Sequence, residues 1–118
     1  MAIVKWDAEA NSITVTYDGD LNEKNTYGQT ALMNACWRGD VKLVKLLINK
    51  GANLDISDRD GFTALMTVCW PSNLEIAKLL IDKGANLDIQ NNYDRQTVLL
   101  RSCKCENIEL TSYILEHI

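Results

Sequence analysis

The sequence is poor in the residues that make tight turns. It holds one proline and six glycines in 118 residues, too few for a sandwich of many short strands joined by turns. It has a single histidine, His117. A Cys/His or Ser/His/Asp arrangement needs a histidine placed by a third group, so His117, next to the chain end, is expected to be a solvated side chain. Positive charge is scarce: 12 Lys and Arg against 16 Asp and Glu leave a net charge of -4. Nucleic-acid binding needs clustered cations that release counterions. Attachment to anionic lipid needs the same sign. Neither is expected. Long apolar runs are also missing. The longest uncharged stretch, Gly61 to Leu74, contains Thr63, Thr67, Pro71, Ser72 and Asn73 and falls short of the roughly 20 apolar residues of a spanning helix. Ala2-Ile3-Val4 is interrupted by Lys5 and Asp7, too soon for a signal-peptide core. The four cysteines are therefore expected as reduced thiols in the cytoplasm.

What is present is an ordinary globular composition, 47% hydrophobic and 24% charged, enough for one domain with a continuous core. It is also a repeat. Gly28 to Ser57 laid over Gly61 to Gln90, a shift of 33, gives eighteen identities in thirty positions, against about two expected from average composition. The shared text is Gly-x-Thr-Ala-Leu-Met, Cys-Trp, then Lys-Leu-Leu-Ile-x-Lys-Gly-Ala-Asn-Leu-Asp-Ile. A weaker third copy follows at a shift of 34. There Thr97 corresponds to Thr63, Leu99 to Leu65, Cys103 to Cys69 and Glu109 to Glu75. The extra residue falls in Asn92 to Gln96, where the loop glycine is lost.

Each copy reads as two short helices. Thr30 and Thr63 are good N-caps for the first. Gly39-Asp40 and Pro71-Ser72-Asn73 break it. Val41, Val44, Leu47 and Ile48 recur at helical spacing, as do Leu74, Ala77, Leu80 and Ile81. Gly51 and Gly84 suit left-handed C-caps. Asn53 to Gly61 and Asn86 to Asp94 are turn-rich loops, in which Asp55 and Asp88 are expected to bond loop amides. A pair this short cannot bury its apolar face alone and must stack on others.

These residues resemble the ankyrin repeat family. Gly28-Gln29-Thr30-Ala31-Leu32-Met33 and Gly61-Phe62-Thr63-Ala64-Leu65-Met66 look like its Gly-x-Thr-Pro-Leu-His motif. Val41 to Asn53 and Leu74 to Asn86 look like its second helix and Gly-Ala-Asp ending. Asp18-Gly19-Asp20-Leu21-Asn22 resembles Gly51-Ala52-Asn53-Leu54-Asp55, which extends the resemblance over about residues 18–118. Ala31, Ala64 and Val98 stand where the family has proline, and Met33, Met66 and Leu100 where it has histidine. The resemblance implies a mostly α fold, an ankyrin-like solenoid of about three helix pairs joined by β-turn loops, within one domain over 1–118. The expected divisions are a cap at 1–24 and repeats at 25–57, 58–90 and 91–118. In the cap, the β-branched and aromatic run Ser12 to Tyr17 favours a strand. Ala2 to Trp6 offers it a partner across Asp7 to Asn11. A β-hairpin over the first repeat is expected, with a degenerate helix pair as the alternative.

Cys36, Cys69 and Cys103 recur at one repeat position. Packed helices lie about 8–10 Å apart, too far for a disulfide or a shared zinc. They are expected to be buried small hydrophobes, since the family puts alanine there. Cys103-x-Cys105 matches no metal or redox spacing. The aromatics say more. Trp37 and Trp70 follow the repeated cysteine at a position the family exposes on its concave face. Tyr27, Phe62 and Tyr93 mark the loop tips, among Gln29, Arg59 and Asp60, while Arg38, Arg59 and Lys104 add positive charge. Either these rings pack on the next repeat, or they form a recognition surface, because aromatics and arginine dominate binding hot spots.

No nucleophile with a base, phosphate loop or metal motif is present. The expectation is a non-catalytic module without cofactor or metal, monomeric when free, that binds another protein on its concave face. Its acidity suits a basic partner. Two alternatives stand beside this: an inhibitor or immunity-type protein masking an enzyme, and a thiol-dependent enzyme or redox factor resting on Cys103 and Cys105.

Overall fold

Three threonines and three Asp or Asn residues stand at the N-cap positions of the helices. In the computed structural model, which describes residues 3–7, 12–16, 21–68 and 73–118, with the first two stretches described by backbone alone, six helices follow one strand pair. They are α1 (Ala31–Arg38), α2 (Val41–Asn49), α3 (Ala64–Thr67), α4 (Leu74–Asp82), α5 (Val98–Lys104) and α6 (Ile108–Glu116). Thr30 Oγ1 accepts from the Met33 amide and Thr63 Oγ1 from the Met66 amide, both at 3.4 Å. Thr97 has the same extended backbone but makes no such bond. Asp40, Asn73 and Asn107 accept from the amides of Leu43, Ile76 and Leu110 at 3.1, 3.2 and 3.1 Å. Each cap satisfies a helix-end donor that would otherwise be orphaned. Beyond Lys50 and Lys83 the chain turns left-handed at Gly51 and Gly84, and the Ala52 and Ala85 amides bond back to Leu47 and Leu80 at 3.0 Å, which closes each second helix.

The strands β1 (Ile3–Asp7) and β2 (Ser12–Thr16) run antiparallel, with Ile3 opposite Thr16 and Asp7 opposite Ser12. Their principal contacts are with each other, and those of the helices are with helices. The β-hairpin cap expected over the first repeat is therefore not supported.

The helices form two rows. α1, α3 and α5 pack side by side, as do α2, α4 and α6, and each first helix rests on its own second helix. Leu32, Val44, Leu47, Leu65, Ile76, Leu80, Leu110 and Ile114 make one core through all three pairs. Burying each such side chain contributes about 1.5–3 kcal/mol. Helices of this length are marginal alone in water, so stacking supplies the stability.

The loops are tied across repeats as well. The Arg59 amide donates to the Tyr27 carbonyl at 3.0 Å, and one repeat later the Asn92 amide donates to Asp60 at 2.8 Å. Asn22 and Asp55 likewise accept from the amides of Asn53 and Asn86 at 2.8 Å. Asp55 thus bonds a loop amide as expected. This closeness explains two glycines. A Cβ on Gly28 would lie 2.9 Å from the Arg59 nitrogen, and one on Gly61 would lie 2.8 Å from the Asn92 nitrogen. Both also hold positive φ.

The third pair departs from the other two. Arg95 stands at the loop-glycine position and keeps the left-handed backbone at φ 55; Glu106, equivalent to Gly39, does the same at φ 57. Ser102 and Thr111 replace the apolar Ala35 and Val44 of the first pair. Their hydroxyl oxygens lie 2.9 Å apart, and Ser102 donates to the Leu99 carbonyl at 2.8 Å. Cys103 corrects an expectation. It is exposed, whereas Cys36 is buried. Leu100 is exposed too, although its equivalents Met33 and Met66 are buried. Among the described residues α5 packs on α3 and α6, and Leu100 and Cys103 lie on its exposed side. Cys69 lies outside the described residues.

Burial pushes the Cys36 thiol up to about 12 from its ordinary 9.0, because the thiolate would lose its hydration. The folded value lies above the unfolded one. Stability from this group is thus intact below pH 9 and is lost as pH rises toward 12, by up to about 1.4 kcal/mol per pH unit. Urea titrations across that range should show a steeper fall for the wild type than for Cys36→Ala; equal slopes would contradict a buried neutral thiol. The same titrations at neutral pH should find Gly61→Ala destabilising by about 2 kcal/mol or more, through clash plus backbone strain, and Gly84→Ala, with open space around it, by about 1 kcal/mol. Glu106→Gly should stabilise by about 0.5–1 kcal/mol by relieving a left-handed non-glycine residue. A loss of stability in that variant would contradict the strain.

Candidate functional site

The two rows leave a groove where the first helices meet the loop tips. Its volume is about 420 Å³, within the usual range of ligand sites. The repeated Ala-Leu-Met places Met33 and Met66 side by side behind it. Trp37 from the end of α1 and Phe62 from the second loop add aromatic surface. Gln29, Asn34, Asp58, Thr67 and Arg101 supply the polar groups.

The polar groups fall into two kinds. Asp58 is engaged: its Oδ1 accepts from the amides of Asp60 and Phe62 at 2.9 and 3.0 Å. Asn25 and Asn91 hold their own loops in the same way. Asn34 and Arg101 each keep one polar atom unpaired. Asn34 Oδ1 and Arg101 Nε are buried atoms without a hydrogen-bond partner. The Arg101 guanidinium carbon lies 4.7 Å from the Phe62 ring centroid, a cation–π placement. The Tyr93 ring lies 6.1 Å from the same ring.

Of the residues singled out in the sequence, Gln29, Trp37 and Phe62 line this groove, and Tyr93 adjoins it through Phe62. Tyr27 is an exposed loop tip whose carbonyl takes the Arg59 amide. Arg59 and Asp60 enter the inter-repeat ladder through their backbones, with exposed side chains. Arg38 is exposed in the last turn of α1 and does not line the groove. Lys104 borders a neighbouring hollow with Gln96, Arg101, Cys105 and Glu106. Trp70 lies outside the described residues. The packing alternative holds in part for Phe62, which is half-buried against Arg101. It does not hold for Trp37, which is 61% exposed.

Sequence reasoning missed Met33, Asn34, Asp58, Met66, Thr67 and Arg101. A signal was available. Asn34, Thr67 and Arg101 occupy one repeat position, directly after the repeated Met or its Leu equivalent, and that position carries a different polar residue in each copy.

A second cluster joins α4 to α6. The Tyr113 hydroxyl donates to Asp82 Oδ1, and His117 Nε2 lies 3.6 Å from the same oxygen. The hydrogen bond to Asp82 raises the Tyr113 phenol above its ordinary 10.0, with burial and the Asp82 and Glu116 charges adding to it. Lys78 Nζ sits 5.2 Å over the Tyr113 ring, and the His117 and Tyr113 rings are 4.5 Å apart. His117 is thus not merely solvated, and Lys78 is half-buried. Among the described residues, no three His, Cys, Asp or Glu side chains come together to hold a metal, and no helix is long and apolar enough to cross a membrane.

Comparison with known families agrees with the geometry of stacked pairs. A profile described as ankyrin repeats (3 copies) matches residues 3–91, and one described as ankyrin repeats (many copies) matches residues 71–115. A search of curated proteins finds no match. Ankyrin repeats are generally protein–protein interaction modules and are typically non-catalytic. With three stacked helix pairs, a threonine cap on two of its first helices and family matches over most of its length, this chain belongs to the ankyrin repeat family.

Proposed function

We propose that the chain is a non-catalytic binding module whose protein partner docks on the face formed by the first helices and the loop tips. One observation carries this reading. Trp37 stands 61% exposed on a groove whose apolar walls include Phe62 and buried methionines. A large ring so exposed contributes little burial to the fold, and covering it against a partner yields the contact area typical of a hot spot. The second-helix side offers a different surface. Lys42, Lys45 and Lys83 are exposed there, and such solvated charges add little to affinity.

The test uses the purified chain to capture proteins from an extract of its source organism, with the affinity of the captured protein then measured. Trp37→Ala should keep its circular dichroism and melting midpoint and bind about tenfold more weakly or worse. Lys45→Ala should bind as the wild type does. A folded Trp37→Ala variant with unchanged affinity would move the interface away from this face.

A further inference from the structure

Resting on that reading of the groove, we infer that its occupant is an extended segment of a partner protein that sets an acidic side chain against Arg101 and an apolar side chain over Met66 and Phe62. Arg101 is the central observation. Its guanidinium lies over Phe62, and its Nε is buried with no acceptor. Among the described residues no carboxylate forms an ion pair with it. A contact through the face of a guanidinium does not use its in-plane N–H groups, which form the fork that a carboxylate fits. A buried donor left without an acceptor is unfavourable in the free protein, and a carboxylate from the partner would relieve it. Asp58, the one carboxylate among the described residues that line the groove, has an oxygen already bonded to two loop amides. It leaves Arg101 available.

The other end of the groove asks for a donor. Asn34 Oδ1 is a buried acceptor without a partner, and a backbone N–H of the segment would supply it. Asn34, Thr67 and Arg101 come from three successive first helices. Packed helices are about 8–10 Å apart, close to three residues of extended chain. A segment crossing the row can therefore meet all three positions, with its apolar side chain over the middle pair. The overall charge of -4 governs encounter at long range. The groove itself, at contact range, selects the opposite sign.

Selection of a random short-peptide display library on the full chain tests this, followed by anisotropy titration of the recovered peptides. The recovered sequences should place Asp or Glu within about three residues of Leu, Ile, Met or Phe. Replacing that acid by its amide in the peptide should weaken binding about tenfold or more, as should Arg101→Gln. The two changes together should weaken it no further, which marks them as partners. Amidating the peptide's C-terminus should have no effect. Should Arg101→Gln lose its fold, the change made in the peptide decides alone. Peptides that need Trp37 but ignore both the acid and Arg101, or that depend on a free C-terminal carboxylate, would overturn the inference while leaving the groove as the binding face. Peptides indifferent to Trp37→Ala, or no enrichment at all, would overturn both.

Discussion

No helix pair in this chain can bury its own apolar face, and the rest of the structure follows from that constraint. A nine-residue helix such as α2 or α4 is too short to hold together in water by its own hydrogen bonds. Its buried residues, Val44 and Leu47 in one and Ile76, Ala77, Leu80 and Ile81 in the other, find cover only because pairs stack in two rows. Stability then resides in the interfaces between neighbours, as expected for a one-dimensional array.

Stacking also decides which residues the loops can carry. Successive loops approach so closely that backbone meets backbone, as at Arg59 with Tyr27 and Asn92 with Asp60. Gly28 and Gly61 lie under that approach, where a Cβ would clash. In the third copy Arg95 takes that position with the left-handed backbone kept. Its positive φ opposes the backbone preference of a non-glycine residue. Leu100 and Cys103, on the first helix of the same copy, are exposed where their equivalents Met33 and Cys36 are buried.

Most of this architecture was legible in the sequence because it rests on local rules. Threonine and Asx caps, glycine C-caps and the helical spacing of apolar residues each act within a few positions, and the internal repeat multiplies their weight. What was not legible depends on contacts between copies. The exposure of Cys103 depends on what stacks beside α5, which its likeness to Cys36 does not reveal. The pairing of His117 with Asp82 crosses from α6 to α4. The groove was half visible. Trp37 and Phe62 stood out as aromatics, whereas Arg101 reaches Phe62 from the next repeat and looked like an ordinary helix-surface cation. The hairpin shows the reverse limit: strand propensity describes a pairing partner along the chain and says nothing about what the pair packs on.

The central claim is that neighbour contacts hold each pair in place, and amide hydrogen exchange on the native chain tests it directly. The α3–α4 pair touches pairs on both sides, and the α5–α6 pair has one neighbour within the chain, two strained left-handed residues and a first helix without its side-chain cap. Protection should therefore be greatest for the buried amides of α4 and least for those of α5 and α6. Equal or stronger protection in α5 and α6 would show that stability is set within each pair rather than between pairs.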